Sequence, residues 1–295
     1  MKIAIYTKPT ESLREPLSQL ISVLEKAGFS YLLDERASQA LDGLKGPGHP
    51  REELARLCQI GVVLGGDGTM LGVARDTARF SQPLVGVNAG RLGFITDIPL
   101  DQMPRMLPAV LSGKHQRDRR HLLVGSIIRS GTEIYAKEAV NDLGLSHGKA
   151  GGMVEFAIYV NGQPMSRQSA DGIICATPTG STAYALAAGG PILHPSLQGV
   201  TLVPVAPHTL SNRPIVLPED ATIDIKLVAA RDAVAYFDMQ EFFDVMPGDV
   251  LRIHVSDLCI EILHPMEYDY FELLRRKLKW NFMPAGGDKK DSALS

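Results

Sequence analysis

Hydrophobic positions change their period about a third of the way along the chain. Lys2–Thr7 (KIAIYT) reads as a short apolar strand, and Leu13, Leu17, Leu20, Ile21 and Leu24 follow at helical spacing with Gly28 as a stop signal. Residues 31–33 give a second strand, and residues 43–50 are turn-rich and predict a mobile loop. Residues 60–64 (IGVVL) predict a buried strand, Met70 to Arg75 open a helix, and residues 83–87 supply a further strand. Repeated strand–helix units imply a parallel sheet covered by helices.

From about His121 the period shortens to two. Phe156, Ile158 and Val160 alternate with Ala157 and Tyr159. Ile223, Ile225 and Leu227 alternate with Asp224 and Lys226, and Leu251, Ile253 and Val255 with Arg252 and His254. Asn161-Gly162 is a hairpin signal. A β-rich second domain of two packed sheets is predicted. Residues 268–280 return to helical spacing, with Phe271, Leu274 and Leu278 on one face. Because a parallel sheet needs helical cover on both faces, this last helix is expected to return to the first domain. The expected division is 1–118 (α/β), 119–266 (β-rich), 267–283 (C-terminal helix) and 284–295, a polar, Gly-rich tail expected to be disordered.

Composition narrows the class. The chain has 295 residues, 45% hydrophobic and 21% charged, which suits a globular protein with a sizeable core. A net charge of −3 gives no whole-molecule case for nucleic acid or an anionic membrane as partner. The basic stretch 114–120 is interrupted by Asp118 and reads as a solvated loop. Cys58, Cys175 and Cys259 lack the CxxC spacing of a zinc site and suggest no disulfide framework. No apolar run reaches membrane-spanning or signal-peptide length, so a cytoplasmic location is expected.

The chemistry concentrates in two segments. Gly65-Gly66-Asp67-Gly68-Thr69 stands between a strand end and a helix start. Glycines there let the backbone approach a ligand, and the exposed amides and helix N-terminus attract phosphate. Asp67 would repel phosphate unless it holds a cation or takes a proton; its other reading is a helix N-cap. The second segment, residues 171–192 (DGIICATPTGSTAYALAAGGPI), again runs from a carboxylate through a buried strand into a Gly/Ser/Thr turn. Residues 88–97 (NAGRLGFITD) form a turn-rich loop at the same sheet edge as Asp67.

Together with Asn141-Asp142, these two segments closely resemble the NAD kinase family over most of the chain. GGDGT alone is also found in related lipid kinases, whereas its pairing with the second segment is specific. The resemblance implies a Rossmann-like α/β first domain, a sandwich-like β second domain and a C-terminal helix returning to the first. It implies transfer of the ATP γ-phosphoryl group to the adenosine 2′-hydroxyl of NAD, with Asp67 as proton acceptor. Phosphate binding falls to Gly65, Gly66, Gly68 and Thr69, and Mg²⁺ is the expected ion, held mainly by ATP phosphates rather than by an all-protein site. NAD-binding positions carried over are Asp67, Gly68, Asn141, Asp142, Asp171, Thr182, Ala183, Tyr184, Ala185, Leu186, Ala187 and Gln240. Asp142 stands where relatives usually carry Glu, one methylene longer, so its contact is expected to be rearranged or water-bridged. Gly152 and Ser169 stand where some relatives carry basic or imidazole side chains. A homodimer or homotetramer is expected. Two alternatives stay open: a lipid or sphingoid-base kinase, and a non-catalytic dinucleotide sensor.

Overall fold

A computed structural model of the chain describes residues 1–8, 11–90 and 93–280; the expected tail over 284–295 lies outside the described residues. The first third builds β1 (Lys2–Thr7), α1 (Arg14–Lys26), β2 (Ser30–Asp34), α2 (Glu35–Ala40), β3 (Gly48–His49), α3 (Arg51–Leu57), β4 (Ile60–Gly65), α4 (Asp67–Thr77), β5 (Leu84–Asn88), β6 (Ile98–Pro99) and α5 (Met103–Leu111). Strands β3, β2, β1, β4, β5 and β6 pair in parallel, in that order. Ile3 and Ile5 pack on one face with Leu17, Leu20, Ile21 and Leu24 of α1, as the helical spacing requires. Ala4 and Tyr6 pack on the other face with Met70 and Val73 of α4. The residues expected to form a mobile loop (43–50) contain β3, and α2, which the hydrophobic pattern did not predict, is capped by Asp34 accepting from the Ala37 amide at 2.7 Å.

The rest of the chain supplies β7 (His115–Arg129), β8 (Thr132–Ala139), β9 (Asp142–His147), β10 (Val154–Val160), β11 (Gln163–Ala170), β12 (Gly172–Ala176), α6 (Tyr184–Ala187), β13 (Gly199–Val205), β14 (Ile215–Pro218), β15 (Ile223–Ala229), β16 (Ala233–Phe237), β17 (Glu241–Val245), β18 (Val250–Pro265) and α7 (Tyr270–Leu278). One antiparallel sheet runs β14-β13-β12-β9-β16-β17. It packs through Leu143, Leu145, Ile173 and Phe237 onto Phe156, Ile225, Leu251 and Leu123 of a second sheet, completing the sandwich. Asn161 and Gly162 both take positive φ, 51° and 77°, as the predicted hairpin turn requires.

The second sheet does not end at the sandwich. β18 pairs antiparallel with β15 and β7, and its C-terminal half also pairs in parallel with β5 through Ile262 and Leu84. The α/β sheet and one sandwich layer are therefore a single sheet. Residue 118 lies inside β7, so the stretch read as a solvated loop is a strand. Its charges find partners on β18: Arg117 bonds Glu261 at 3.0 Å.

The last helix contacts both regions. Leu273 and Leu274 are buried, while Phe271 is 58% exposed, so the buried face is rotated from the one expected. Asp269 caps the helix at the amides of Phe271 and Glu272, Lys277 lies over the Phe94 ring, and Tyr270 and Phe271 touch the His194 ring. Ending the chain after Met266 should lower stability by several kcal/mol, because each large side chain restored to water costs about 1.5–3 kcal/mol. Urea unfolding of the shortened chain is the check. An unchanged midpoint with full activity would mean the helix is dispensable.

Candidate active site

Strand β4 delivers Gly65 at the carboxyl edge of the parallel sheet, where ligands of such sheets bind. Gly66 is the N-cap in extended conformation, and α4 starts at Asp67. Asp67 caps no amide of its own helix, so the N-cap alternative does not hold. Its carboxylate instead crosses to residues 93–97. Oδ2 accepts from the Phe94 amide at 2.7 Å; Oδ1 accepts from the Ile95 and Thr96 amides and the Thr96 hydroxyl at 3.1, 3.1 and 2.9 Å. A Cβ on Gly93 would lie 2.1 Å from Asp67 Oδ1, so this approach requires glycine. A carboxylate offers about four lone-pair sites. Oδ1 is saturated, whereas Oδ2 keeps one acceptor direction, and Asp67 is half-buried rather than enclosed.

On the outer side of the glycine turn, an open groove is lined by Lys8, Arg36 and Arg51 together with Gly66, Gly68 and Thr69. Arg51 is tied to Asp76 at 2.6 Å and to Asp34 at 3.7 Å. Three cations around a helix N-terminus make a site suited to several phosphate charges. Sequence reasoning missed all three, because they come from the ends of β1, α2 and α3 and share no motif.

The β-rich part reaches this turn through Gln240, whose amide donates to Gly68 O at 2.9 Å. Gln240 belongs to a tight turn in which Asp238 and Met239 both take positive φ, 51° and 53°. The Asp238 carboxylate accepts from the amides of Val140, Asn141 and Asp142 at 3.0, 2.7 and 3.2 Å, and from Arg75 of α4 at 2.8 Å. Arg75 also donates to Gln240 Oε1 at 2.7 Å. Thus Gly68, Gln240 and Asn141 belong to one hydrogen-bonded assembly, next in the chain to Asp67. Neither Arg75 nor Asp238 was singled out as a site residue from sequence.

Beside this assembly, the Asn141 carbonyl accepts from the Thr177 amide at 2.9 Å, which seats the turn at residues 177–181. Asp142 is only 2% exposed. Burial, reinforced by the charge of Asp238, pushes its carboxyl up to about 7. Tyr184 is half-buried with its edge toward Tyr236, 6.2 Å between centroids. Burial first, then the charges of Asp142 and Asp171, raise its hydroxyl. Tyr184 therefore lies near both carboxylates and is not enclosed in the sandwich core. Of the neighbouring residues, Thr182, Ala183 and Leu186 are half-exposed, Ala187 is exposed and Ala185 is buried.

Comparison with known proteins agrees with this arrangement. Residues 48–115 match the ATP-NAD kinase N-terminal domain, and residues 140–264 match the ATP-NAD kinase C-terminal domain. A protein of Burkholderia pseudomallei (strain K96243) named NAD kinase is 44% identical over 283 residues, covering 96% of this chain and 94% of its own. One from Cupriavidus pinatubonensis (strain JMP 134 / LMG 1197) with the same name is 46% identical over 276 residues, covering 93% and 90%. Yeast NADH kinase complexed with NADH superposes with a TM-score of 0.87 at 24% identity, covering 98% of this chain and 90% of its own. An NAD kinase from Archaeoglobus fulgidus in complex with ATP gives 0.76 at 24% identity, covering 95% and 99%. At such identities the two structures speak for the fold, while the nearly full-length relatives speak for descent. The chain belongs to the NAD kinase family.

Proposed function

We propose that the chain transfers the γ-phosphoryl group of ATP to the adenosine 2′-hydroxyl of NAD, and that Asp67 accepts the hydroxyl proton. The observation that carries this reading is the position of Asp67 Oδ2. Its glycine turn lines a cationic groove fit for a polyphosphate, the turn at Asp238–Gln240 ties Gly68 to the segment that carries Asn141, and Oδ2 keeps one acceptor direction. The amides of the 93–97 loop keep the carboxylate oriented before the hydroxyl arrives, so little reorganisation accompanies proton transfer. Lys8, Arg36 and Arg51 balance the donor's charge in place of a loop lysine.

A divalent cation, Mg²⁺ by preference, fits this donor set. Among the described residues no group of three His, Cys, Asp or Glu side chains is placed to hold a metal ion, and Asp67 Oδ1 is already committed to its loop. Phosphate oxygens would supply most ligands, and the ion would neutralise charge on the transferring group. On the acceptor side, Asn141, Asp171 and Tyr184 would contact NAD directly. Asp142, being buried, would not reach NAD directly. Exposed apolar side chains on the edge strands, Ile215, Val216 and Phe242, support assembly into a dimer or tetramer. The unpaired cysteines Cys58, Cys175 and Cys259 suit a reducing, cytoplasmic compartment. A lipid kinase would need an apolar acceptor surface, whereas the proposed acceptor contacts, Asn141, Asp171 and Tyr184, are polar.

Incubation of purified protein with Mg-ATP and NAD⁺ should yield NADP⁺. Asp67→Asn keeps the volume and removes the base, so kcat should fall by at least about 10²-fold while NAD affinity stays within a few-fold. A folded variant with near-normal kcat would overturn the assignment.

Lys8→Ala and Arg36→Ala should each raise the KM for Mg-ATP roughly five- to tenfold and leave the KM for NAD unchanged, since each removes one charge-assisted contact. Steady-state kinetics with each substrate varied in turn makes the distinction.

The raised carboxyl of Asp142 sets a pH dependence of stability. The folded group titrates near 7 and the ordinary one near 3.8, so the folded state holds the extra proton between them. Its contribution is fully present below the lower value and is lost as pH rises through the upper one. Asp142→Asn should therefore gain thermal stability relative to the parent at pH 8, and not at pH 4. Thermal unfolding at both pH values tests the sign.

A further inference from the structure

Behind the loop that receives Asp67 lies a buried charged cluster that the reaction scheme has not used. His264, near the end of β18, is fully buried. Its Nδ1 lies 2.9 Å from Asp97 Oδ2, and its Nε2 lies 3.4 Å from Asp118 Oδ2, at ion-pair rather than ideal hydrogen-bond distance. Asp118 also accepts from Arg120 at 2.5 Å, and Arg120 donates to the Thr179 hydroxyl at 3.0 Å. The Tyr268 ring stacks on the imidazole at 3.9 Å between centroids, 10° from parallel.

The positions of the end members give the cluster its meaning. Asp97 directly follows Phe94, Ile95 and Thr96, whose groups hold Asp67. Thr179 belongs to the turn seated on the Asn141 carbonyl and leading to Tyr184. The cluster therefore joins the loop around the proton acceptor to the turn flanking the dinucleotide pocket.

Charge counting sets the state of His264. The ionisable groups in contact with the cluster are Asp97, Asp118 and Arg120, with the phenols of Tyr268 and Tyr270 behind them; Asp97 also lines an open pocket with Arg105, Glu267, Asp269, Glu272 and Arg276, two cations and three carboxylates that add no net positive charge. In direct contact, two carboxylates and one guanidinium leave one negative charge uncompensated in a largely buried site, which is costly unless the imidazole is protonated. Burial alone would lower the imidazole pKa, but Asp118 and Asp97 outweigh it and raise the pKa above its ordinary value. For Asp118, burial alone would raise the carboxyl, and the bonds from His264 and Arg120 overcome this to hold it at about 2.

We propose that His264, held as an imidazolium, is a positioning residue for phosphoryl transfer: it clamps the 93–97 loop to the Thr179 turn and so fixes the Asp67 carboxylate against the bound dinucleotide. The inference rests on Asp67 being the proton acceptor. Loss of the proton removes the charge that holds Asp97, loosens the donors to Asp67, and lowers kcat rather than ATP affinity.

The test combines spectroscopy with kinetics on the full chain. Two-bond ¹H–¹⁵N spectra of histidine-labelled protein, with His264 assigned from its loss in His264→Gln, should show an imidazolium whose titration midpoint lies above that of the exposed histidines. The kcat of the parent should decline with the same midpoint. His264→Gln should lower kcat about tenfold or more, keep the KM for Mg-ATP, and lose that alkaline limb. Asp97→Asn, which removes one stabilising charge, should move the spectroscopic midpoint and the kinetic limb to lower pH together, a shift that a merely structural role would not produce. A neutral imidazole at pH 6 in the parent would overturn the proposal, as would a folded His264→Gln enzyme with parental kcat and pH profile. If Asp67→Asn stays near-normal, the base assignment fails. If that variant is inert while the His264 measurements are negative, this inference alone fails.

Discussion

The buried ion pair between Arg75 and Asp238 holds the two halves of the site in register. Their side chains are 8% and 0% exposed, and the Asp238 carboxylate accepts three successive backbone amides besides the guanidinium. A buried charge is tolerable only when its acceptor sites are filled, and here the filling donors come from two different parts of the chain. Arg75 sits one face of α4 beyond the glycine turn; the amides belong to the segment that enters β9. Satisfying one carboxylate thus sets the distance between α4 and the segment that enters β9. Gln240, two residues further on, then reaches Gly68 O.

Much of the fold could be read from periodicity, because each region buries one face against a layer that demands it. Leu17, Leu20, Ile21 and Leu24 had to face a sheet, and Ile223, Ile225 and Leu227 had to face a sandwich core. What periodicity hid was the polar half of β7. Arg117 and Arg119 look like part of a solvated run until β18 places Glu261 and Cys259 beside them. Cross-strand partners more than a hundred residues away leave no local trace. The face of α7 was misjudged for a related reason: Leu273 and Leu274 are adjacent, so spacing alone did not decide which neighbour of Leu274 turns inward.

The candidate site divides in the same way. Asp67 and the glycines around it announced themselves, since a carboxylate inside a glycine turn suited to phosphate needs an explanation. Lys8, Arg36 and Arg51 did not, because each stands alone in sequence and only the parallel sheet gathers strand and helix ends to one edge. Residues 93–97 were visible as a loop at that edge, but their function as donors to Asp67 depends on the close approach at Gly93.

A sheet that continues without a break from the α/β region into the sandwich has a mechanical consequence. β7 and β18 are paired from Val250 opposite Ile128 to Pro265 opposite His115, interrupted by a single bulge between Val255 and Cys259. Swinging one region away from the other would shear that ladder and break its backbone hydrogen bonds. The molecule therefore has a spine where many two-part enzymes have a hinge. Admission and release of ligands fall to loops and side chains around a frame whose separation is established once, when the chain folds.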